Sequence, residues 1–249
     1  VARYAQSRRR GMRIGTWNVE YAYPKRLDAL RGVIASNPAD VWVLTETHDD
    51  LAPVGCPHVV HSKPRPKNWS GIRPGSRWVS IWSAFPIVKQ VFVDGGDEER
   101  TVIALIDAGA RGQVLVYGTV LPWKGDRGKF NWSEHHTVVP QQCDEWRELR
   151  QRYPDAALCI AGDYNTDMVR GGYYGTREGI ALLSAGLADC RLYCATTPER
   201  IPSGLLEFPP IDHIALPLKW RDQIQVSAAW PAQKGVLSDH GGLVVTIAD

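Results

Sequence analysis

The sequence predicts an α/β fold built on two packed β-sheets with helices beside them, and three observations carry that expectation. Short apolar runs rich in Val, Ile, Trp and Tyr alternate with loops holding Gly, Pro and Asp, the texture of many short strands. Helical periodicity is confined to a few segments. Those segments bracket a strand-only stretch, in the order strand, helix, strand, further strands, helix, strand, helix, which suits helices flanking a β-sandwich better than a doubly wound parallel sheet.

Residues 12–18 read as the first strand. Residues 25–36 read as a helix, because Leu27, Leu30, Val33 and Ile34 form an i, i+3, i+6, i+7 stripe that Asn37-Pro38 ends. Strands follow at 41–45, 78–83, 88–93, 102–107 and 113–120. A second helix is expected over 141–153, ended by Pro154, then a strand at 157–161. A third helix covers 175–187, with Ile180, Leu183 and Leu187 on one face, and strands at 212–216, 224–229 and 243–247 complete the set. Ten such strands suggest two sheets.

Loops at 49–77, 122–140, 165–175 and 196–211 are longer than a compact domain needs unless they are functional or disordered. No internal repeat and no low-complexity tract divides the chain, so residues 12–249 read as one domain. The polar, Arg-rich residues 1–11 read as an arm of little functional weight.

With 249 residues, 44% of them apolar and 22% charged, the chain can bury a sizeable core. A net charge of +2 lacks the basic excess of a protein that coats nucleic acid through phosphate contacts alone. Positive charge is nonetheless clustered: Arg8, Arg9, Arg10 and Arg13; Lys63, Arg65, Lys67, Arg73 and Arg77; Lys124, Arg127 and Lys129. These clusters are either solvated loops or the rim of a site for an anionic substrate. Five cysteines without a paired CxxC spacing give no structural zinc site and fit a reduced, cytoplasmic chain. No apolar stretch reaches the ~18 residues of a membrane helix, and the start lacks the apolar core of a secretion signal.

The positions of the polar residues are more telling. Asn18 and Glu20 follow the first strand; Glu46 and His48 follow Val41-Trp42-Val43-Leu44; Asp163 and Asn165 follow Leu158-Cys159-Ile160-Ala161. Asp212 and His213 open one late strand, and Asp239 and His240 precede the last. Packed sheets bring such ends together on one rim, so these groups could line one cleft. Glu20, Glu46, Asp163, Asp212 and Asp239 would repel one another there unless they held a cation or shared protons. Oxygen donors of this kind suit magnesium, manganese or calcium rather than zinc.

The segments Gly15-Thr16-Trp17-Asn18-Val19-Glu20, Leu44-Thr45-Glu46-Thr47, Ala161-Gly162-Asp163-Tyr164-Asn165-Thr166, Ile211-Asp212-His213-Ile214 and Leu237-Ser238-Asp239-His240 resemble, in order, the motifs of the endonuclease/exonuclease/phosphatase superfamily. The resemblance runs from Met12 to the last strand. It implies a DNase-I-like fold, a four-layer α-β-β-α sandwich, and a metal-dependent hydrolysis of phosphate esters with Mg2+ or Mn2+.

By the same resemblance Glu46, Asn18, Glu20 and Asp239 would surround the metal. His240 would meet the phosphate or the attacking water with Asp212 orienting its imidazole, Asp163 would position or deprotonate the water, and Asn165 would donate to a nonbridging phosphate oxygen. Glu20 stands where many relatives carry Asp. In the strand before the Pro122 loop, where many relatives carry a His or Tyr that contacts the phosphate, this chain has Val120; Tyr117, His135 or His136 are nearby substitutes.

Trp69 and Arg77 in the long basic loop, and Arg170 and Tyr173 after the third motif, are candidate substrate contacts; the alternatives are a solvated loop and a cap for the following helix. Basic and aromatic loops favour nucleic acid over a small or lipid phosphate ester, while the near-neutral net charge restrains that preference. A catalytically silent binding module on the same fold has Val120 as its support.

Overall fold

A computed structural model describes residues 11–66, 72–128 and 131–249. The expected arm, apart from Gly11, and Trp69 lie outside the described residues. Among the described residues, twelve strands form two six-stranded sheets. The first contains β1 (Met12–Asn18), β2 (Val41–His48), β3 (His58–His61), β4 (Ser76–Ser83), β11 (Ile224–Trp230) and β12 (Gly242–Ile247), in the order β11-β12-β1-β2-β4-β3. The second contains β5 (Ile87–Val91), β6 (Thr101–Asp107), β7 (Gln113–Val120), β8 (Ala157–Asp163), β9 (Leu192–Cys194) and β10 (Asp212–Pro217), in the order β5-β6-β7-β8-β10-β9.

Three helices complete the four layers. α1 (Leu27–Ser36) buries Leu30 and Ile34 against the first sheet beside Trp17, Trp42 and Leu44. α2 (Ser133–Arg152) and α3 (Arg177–Asp189) bury Val139, Trp146, Leu149, Leu183 and Leu187 on the outer face of the second. Between the sheets lies a core to which nearly every strand contributes, including Ile14, Val43, Ile81, Val116, Val120, Ile214 and Val245. This is why most strands read as continuous apolar runs: both faces are covered, one by the partner sheet and one by helices or loops.

The sequence places the other ten strands within a few residues of their observed bounds; β3 and β9 are additional. α2 begins at Ser133 rather than at 141, with Pro140 inside it. Asn131 Oδ1 takes the Ser133 amide at 3.0 Å and starts the helix early. Pro140 then forfeits one helical hydrogen bond. The burial of Val139, Cys143 and Trp146 on the second sheet holds the helix together across that gap.

What positions the site is topology. β1 and β2 run parallel, as do β7 and β8, so Asn18 lies beside Thr45 and Val120 beside Asp163 at matching ends. β10 runs antiparallel to β8 and pairs Asp212 with Asp163; β12 runs antiparallel to β1, so Asp239 and His240 enter from the same rim. Gly162 makes the β7–β8 approach possible. A Cβ there would lie 2.0 Å from the Thr119 carbonyl oxygen, and its φ of 133° is one that L side chains rarely adopt.

Candidate active site

Glu46 sits within β2 rather than after it, and its φ of 44° puts it in the left-handed region. A non-glycine residue held there costs on the order of 1 kcal/mol and re-aims its side chain. Glu46 Oε1 accepts from Asn18 Nδ2 at 3.2 Å, and the same nitrogen donates to Asp163 Oδ2 at 3.0 Å, joining the two sheets. Asp163 Oδ1 accepts from the Asn165 amide at 2.9 Å, an Asx turn that holds Asn165 at a φ of 50°. One N–H of the Asn165 side chain is fixed to the Leu121 carbonyl at 2.9 Å; the amide nitrogen carries a second donor.

Opposite them, His240 Nδ1 meets Asp212 Oδ2 at 2.6 Å. The Asp239-His240 turn is fastened to β1: Ser238 Oγ donates to the Asn18 carbonyl at 2.7 Å, the His240 amide donates to Ser238 Oγ at 3.1 Å, and Trp17 Nε1 donates to the His240 carbonyl at 3.0 Å. Burial works against a charged His240, but Asp212 and Asp163 outweigh it and carry the imidazole up to about 10. Burial pushes Asp163 up to about 7; His240 opposes the rise and Asp212 adds to it.

Asp163, Asp212 and His240 offer ligand atoms that all lie within 4.8 Å of one another, a group that could hold a metal ion. Asp212 Oδ1 is buried without a hydrogen-bond partner, an acceptor that a cation would satisfy. Asp163, Asp212 and Glu46 form an oxygen-rich donor set, which fits Mg2+ or Mn2+ better than a soft metal; the expected ligand Asn18 turns its NH2 group to two of these carboxylates and its Oδ1 to the Glu20 amide, so it braces the set.

The other expected site residues divide. Glu20 Oε2 accepts from buried Arg26 at 2.6 Å and from the Asp239 amide at 3.2 Å, so its carboxylate is committed to bracing the turn. Asp239 is exposed beside His240. Tyr173 reaches the cleft: with Phe208, Pro209, Asp212 and His240 it lines a cavity of about 280 Å³. Arg170 is exposed on the loop after β8. Arg77 grips both oxygens of Asp49, each at 2.9 Å, and the Ser62 carbonyl at 3.0 Å, which leaves it a structural tie.

Arg65 was legible only as one of a basic cluster. It is buried, with Nη1 3.6 Å from Glu46 Oε2 and its guanidinium over the rings of Trp78 and Tyr21. It stands between two prolines on a stretch bridged to β4, and no local pattern places its side chain at Glu46. His213 was named at the motif without a role. It is buried behind Asp212 with Nε2 on the Thr166 carbonyl at 2.9 Å and Nδ1 on Thr196 Oγ1 at 3.0 Å, and it ties the Asn165 loop to β10.

Two six-stranded sheets between helices, with one carboxylate-lined rim, define a DNase-I-like sandwich, and solved structures of that fold superpose on nearly the whole chain. A 3′-5′ exonuclease from Neisseria meningitidis is 18% identical with a TM-score of 0.67, covering 96% of this chain and 100% of its own. An AP endonuclease from Leishmania major is 15% identical with a TM-score of 0.68 (96% and 88% covered), and one from Archaeoglobus fulgidus is 18% identical with a TM-score of 0.63 (95% and 99%). A search of curated proteins finds no sequence match. The model of the endonuclease/exonuclease/phosphatase family matches residues 15–241, and the chain belongs to that family.

Proposed function

We propose that this chain is a divalent-metal-dependent phosphoesterase that hydrolyses phosphodiester bonds by attack of an activated water, with nucleic acid as the favoured substrate. The observation that carries the reading is the convergence at one rim of the Glu46–Asn18–Asp163 hydrogen bonds and the Asp212–His240 pair, drawn from both sheets.

Glu46, with the neighbouring Asp163 and Asp212, would hold an Mg2+ or Mn2+ ion, which would supply Lewis-acid charge there, and Asn18 would brace two of these carboxylates through its NH2 group. Asp163 orients the attacking water and accepts its proton through a carboxylate anchored by Asn18 and the Asn165 amide. The second N–H of Asn165 donates to a nonbridging phosphoryl oxygen as charge builds. His240, steadied through Nδ1 by Asp212, presents Nε2 and its positive charge to the phosphoryl group.

The cavity lined by Tyr173, Phe208 and Pro209 beside His240 suits the apolar face of a sugar or base next to the phosphate. A relative of this fold, a Neisseria 3′ phosphatase, is described bound to a product DNA hairpin, which supports a DNA substrate. Five free, buried cysteines support a reducing, cytoplasmic setting, and no helix among the described residues is long and apolar enough to cross a membrane.

The test is hydrolysis of abasic-site duplex, 3′-phosphorylated DNA, single-stranded DNA, RNA, inositol phosphates and bis-p-nitrophenyl phosphate with Mg2+ or Mn2+, against EDTA and Asp163→Ala. Turnover that EDTA abolishes and Asp163→Ala lowers at least ~100-fold is expected. Turnover equal in the variant, or silence across the panel, refutes the reading.

A further inference from the structure

Val120 is fully buried at the strand position paired with Asp163 and offers the substrate no side-chain donor. The neighbours that could replace it are turned elsewhere. The Tyr117 hydroxyl donates to Glu145 at 2.7 Å on the helix-covered face of the sheet. His135 Nδ1 donates to the Pro122 carbonyl at 2.8 Å, and His136 Nε2 pairs with Thr176 Oγ1 at 2.7 Å.

Beside Val120, whose amide donates to the Arg100 carbonyl at 3.0 Å, stands a wall of arginines and indoles. Trp78 packs on Trp123 at 5.9 Å between ring centroids, and the Arg100 guanidinium lies over both rings at 4.8 and 5.2 Å. The Arg65 guanidinium lies over Trp78 at 3.5 Å and over Tyr21 at 4.6 Å. The two arginines differ in what their nitrogens meet. Arg100 is bonded to both carboxylate oxygens of Asp126. Arg65 has a side chain only 2% exposed, yet neither Nη1 nor Nη2 makes a hydrogen bond of good geometry: Glu46 Oε2, at 3.6 Å from Nη1, is beyond bonding length, and the Tyr21 hydroxyl, its other polar neighbour, interacts weakly. Buried guanidinium donors left unspent are costly, and such a cost persists where a ligand relieves it.

We propose that Arg65 grips the substrate's phosphoryl oxygens, supplying the donors that Val120 lacks. The proposal rests on the phosphoesterase reading. A guanidinium presents a planar fork that matches two oxygens of one phosphate, and stacking on Trp78 fixes that plane before the substrate arrives. Arg65 lies beside Glu46, which the hydrogen bonds of Asn18 join to Asp163, so a phosphate taken up there would lie between Arg65 and the His240 side of the site. The Tyr21 ring, half-buried on a turn where Glu20, Tyr21 and Ala22 all have positive φ, lies against the guanidinium, so an anion reaches Arg65 only if that ring shifts.

The experiment is a calorimetric titration of inorganic phosphate into wild type, Arg65→Gln and Arg65→Lys, with Mn2+ titrations and KM and kcat measured alongside. Arg65→Gln should weaken phosphate at least ~10-fold and raise KM, and Arg65→Lys, which keeps the charge and the stem, should fall between. Should Arg65→Gln fail to fold, the loss in a folded Arg65→Lys still reads the fork. Unchanged phosphate affinity with altered Mn2+ affinity would mean that Arg65 only steadies Glu46, and would overturn the proposal, as would a wild type that binds no phosphate. Phosphate binding lost in Arg65→Gln while wild type hydrolyses nothing would sink the phosphoesterase reading and leave the anion site standing.

Discussion

His135 should make this protein acid-labile in a defined window. Its ring is buried, Nδ1 donates to the Pro122 carbonyl, and Nε2 has no partner, so protonation would place a bare N–H⁺ in the core. Burial lowers its pKa from 6.5 to about 4, with the Pro122 bond opposing and His136 adding to the fall. The unfolded chain then binds a proton between those two values that the folded chain refuses, so stability rises with pH across the window and is lost as pH falls from 6.5 to about 4. The loss amounts to about 3 kcal/mol from this group, at up to about 1.4 kcal/mol per pH unit. His135→Asn keeps a donor for the Pro122 carbonyl without a titrating ring. Urea denaturation of both proteins at intervals from pH 7 to 4 should show the wild type losing about 3 kcal/mol more than the variant. Parallel stability profiles would refute the reasoning.

Other substitutions probe different joints of the structure. A Cβ at Gly186 would lie 2.0 Å from Cys143 Sγ where α3 crosses α2, so Gly186→Ala should cost about 1–3 kcal/mol despite the better helix former. Cys143→Ala in the same chain should restore much of it, and a denaturation double-mutant cycle reads the coupling. Arg100→Met removes the guanidinium that holds both oxygens of the buried Asp126 carboxylate and should cost about 1–3 kcal/mol in thermal or urea denaturation; a cost below about 0.5 kcal/mol would show the pair contributes little. Glu20→Gln unpairs Arg26 and should destabilise by about 1–3 kcal/mol while leaving Mn2+ affinity within about threefold. A tenfold loss of Mn2+ affinity in that variant would instead make Glu20 a direct ligand.

Much of this was legible because the informative residues stand at strand ends, where alternation of apolar runs and loops fixes their place. Asn18, Asp163, Asp212 and His240 are adjacent because of strand order and direction, which the element sequence already constrains. The four-residue β3 and three-residue β9 are edge strands too short to show a period. The early start of α2 was hidden by Pro140, which reads locally as a stop and is overridden by packing. Arg65, Tyr21 and Arg26 were hidden for another reason: their roles depend on long loops folding back onto the rim and on a left-handed turn with no glycine to announce it. Arg77 looked equally suited to an anion, but Asp49, 28 residues earlier in the sequence, claims it.

The 3.0 Å bond from Asn18 to Asp163 has an implication for how the protein fails. It crosses from one sheet to the other; Glu46 belongs to the first sheet, to which the His240 turn is fastened, while Asp212 belongs to the second. A small slide or rotation of the two sheets, harmless to either one, would part these groups by more than the reach of a hydrogen bond. On the proposed function, hydrolysis would be a finer gauge of sheet alignment than a melting curve, and inter-sheet substitutions such as Val43→Ala should lower it at temperatures where both sheets remain intact.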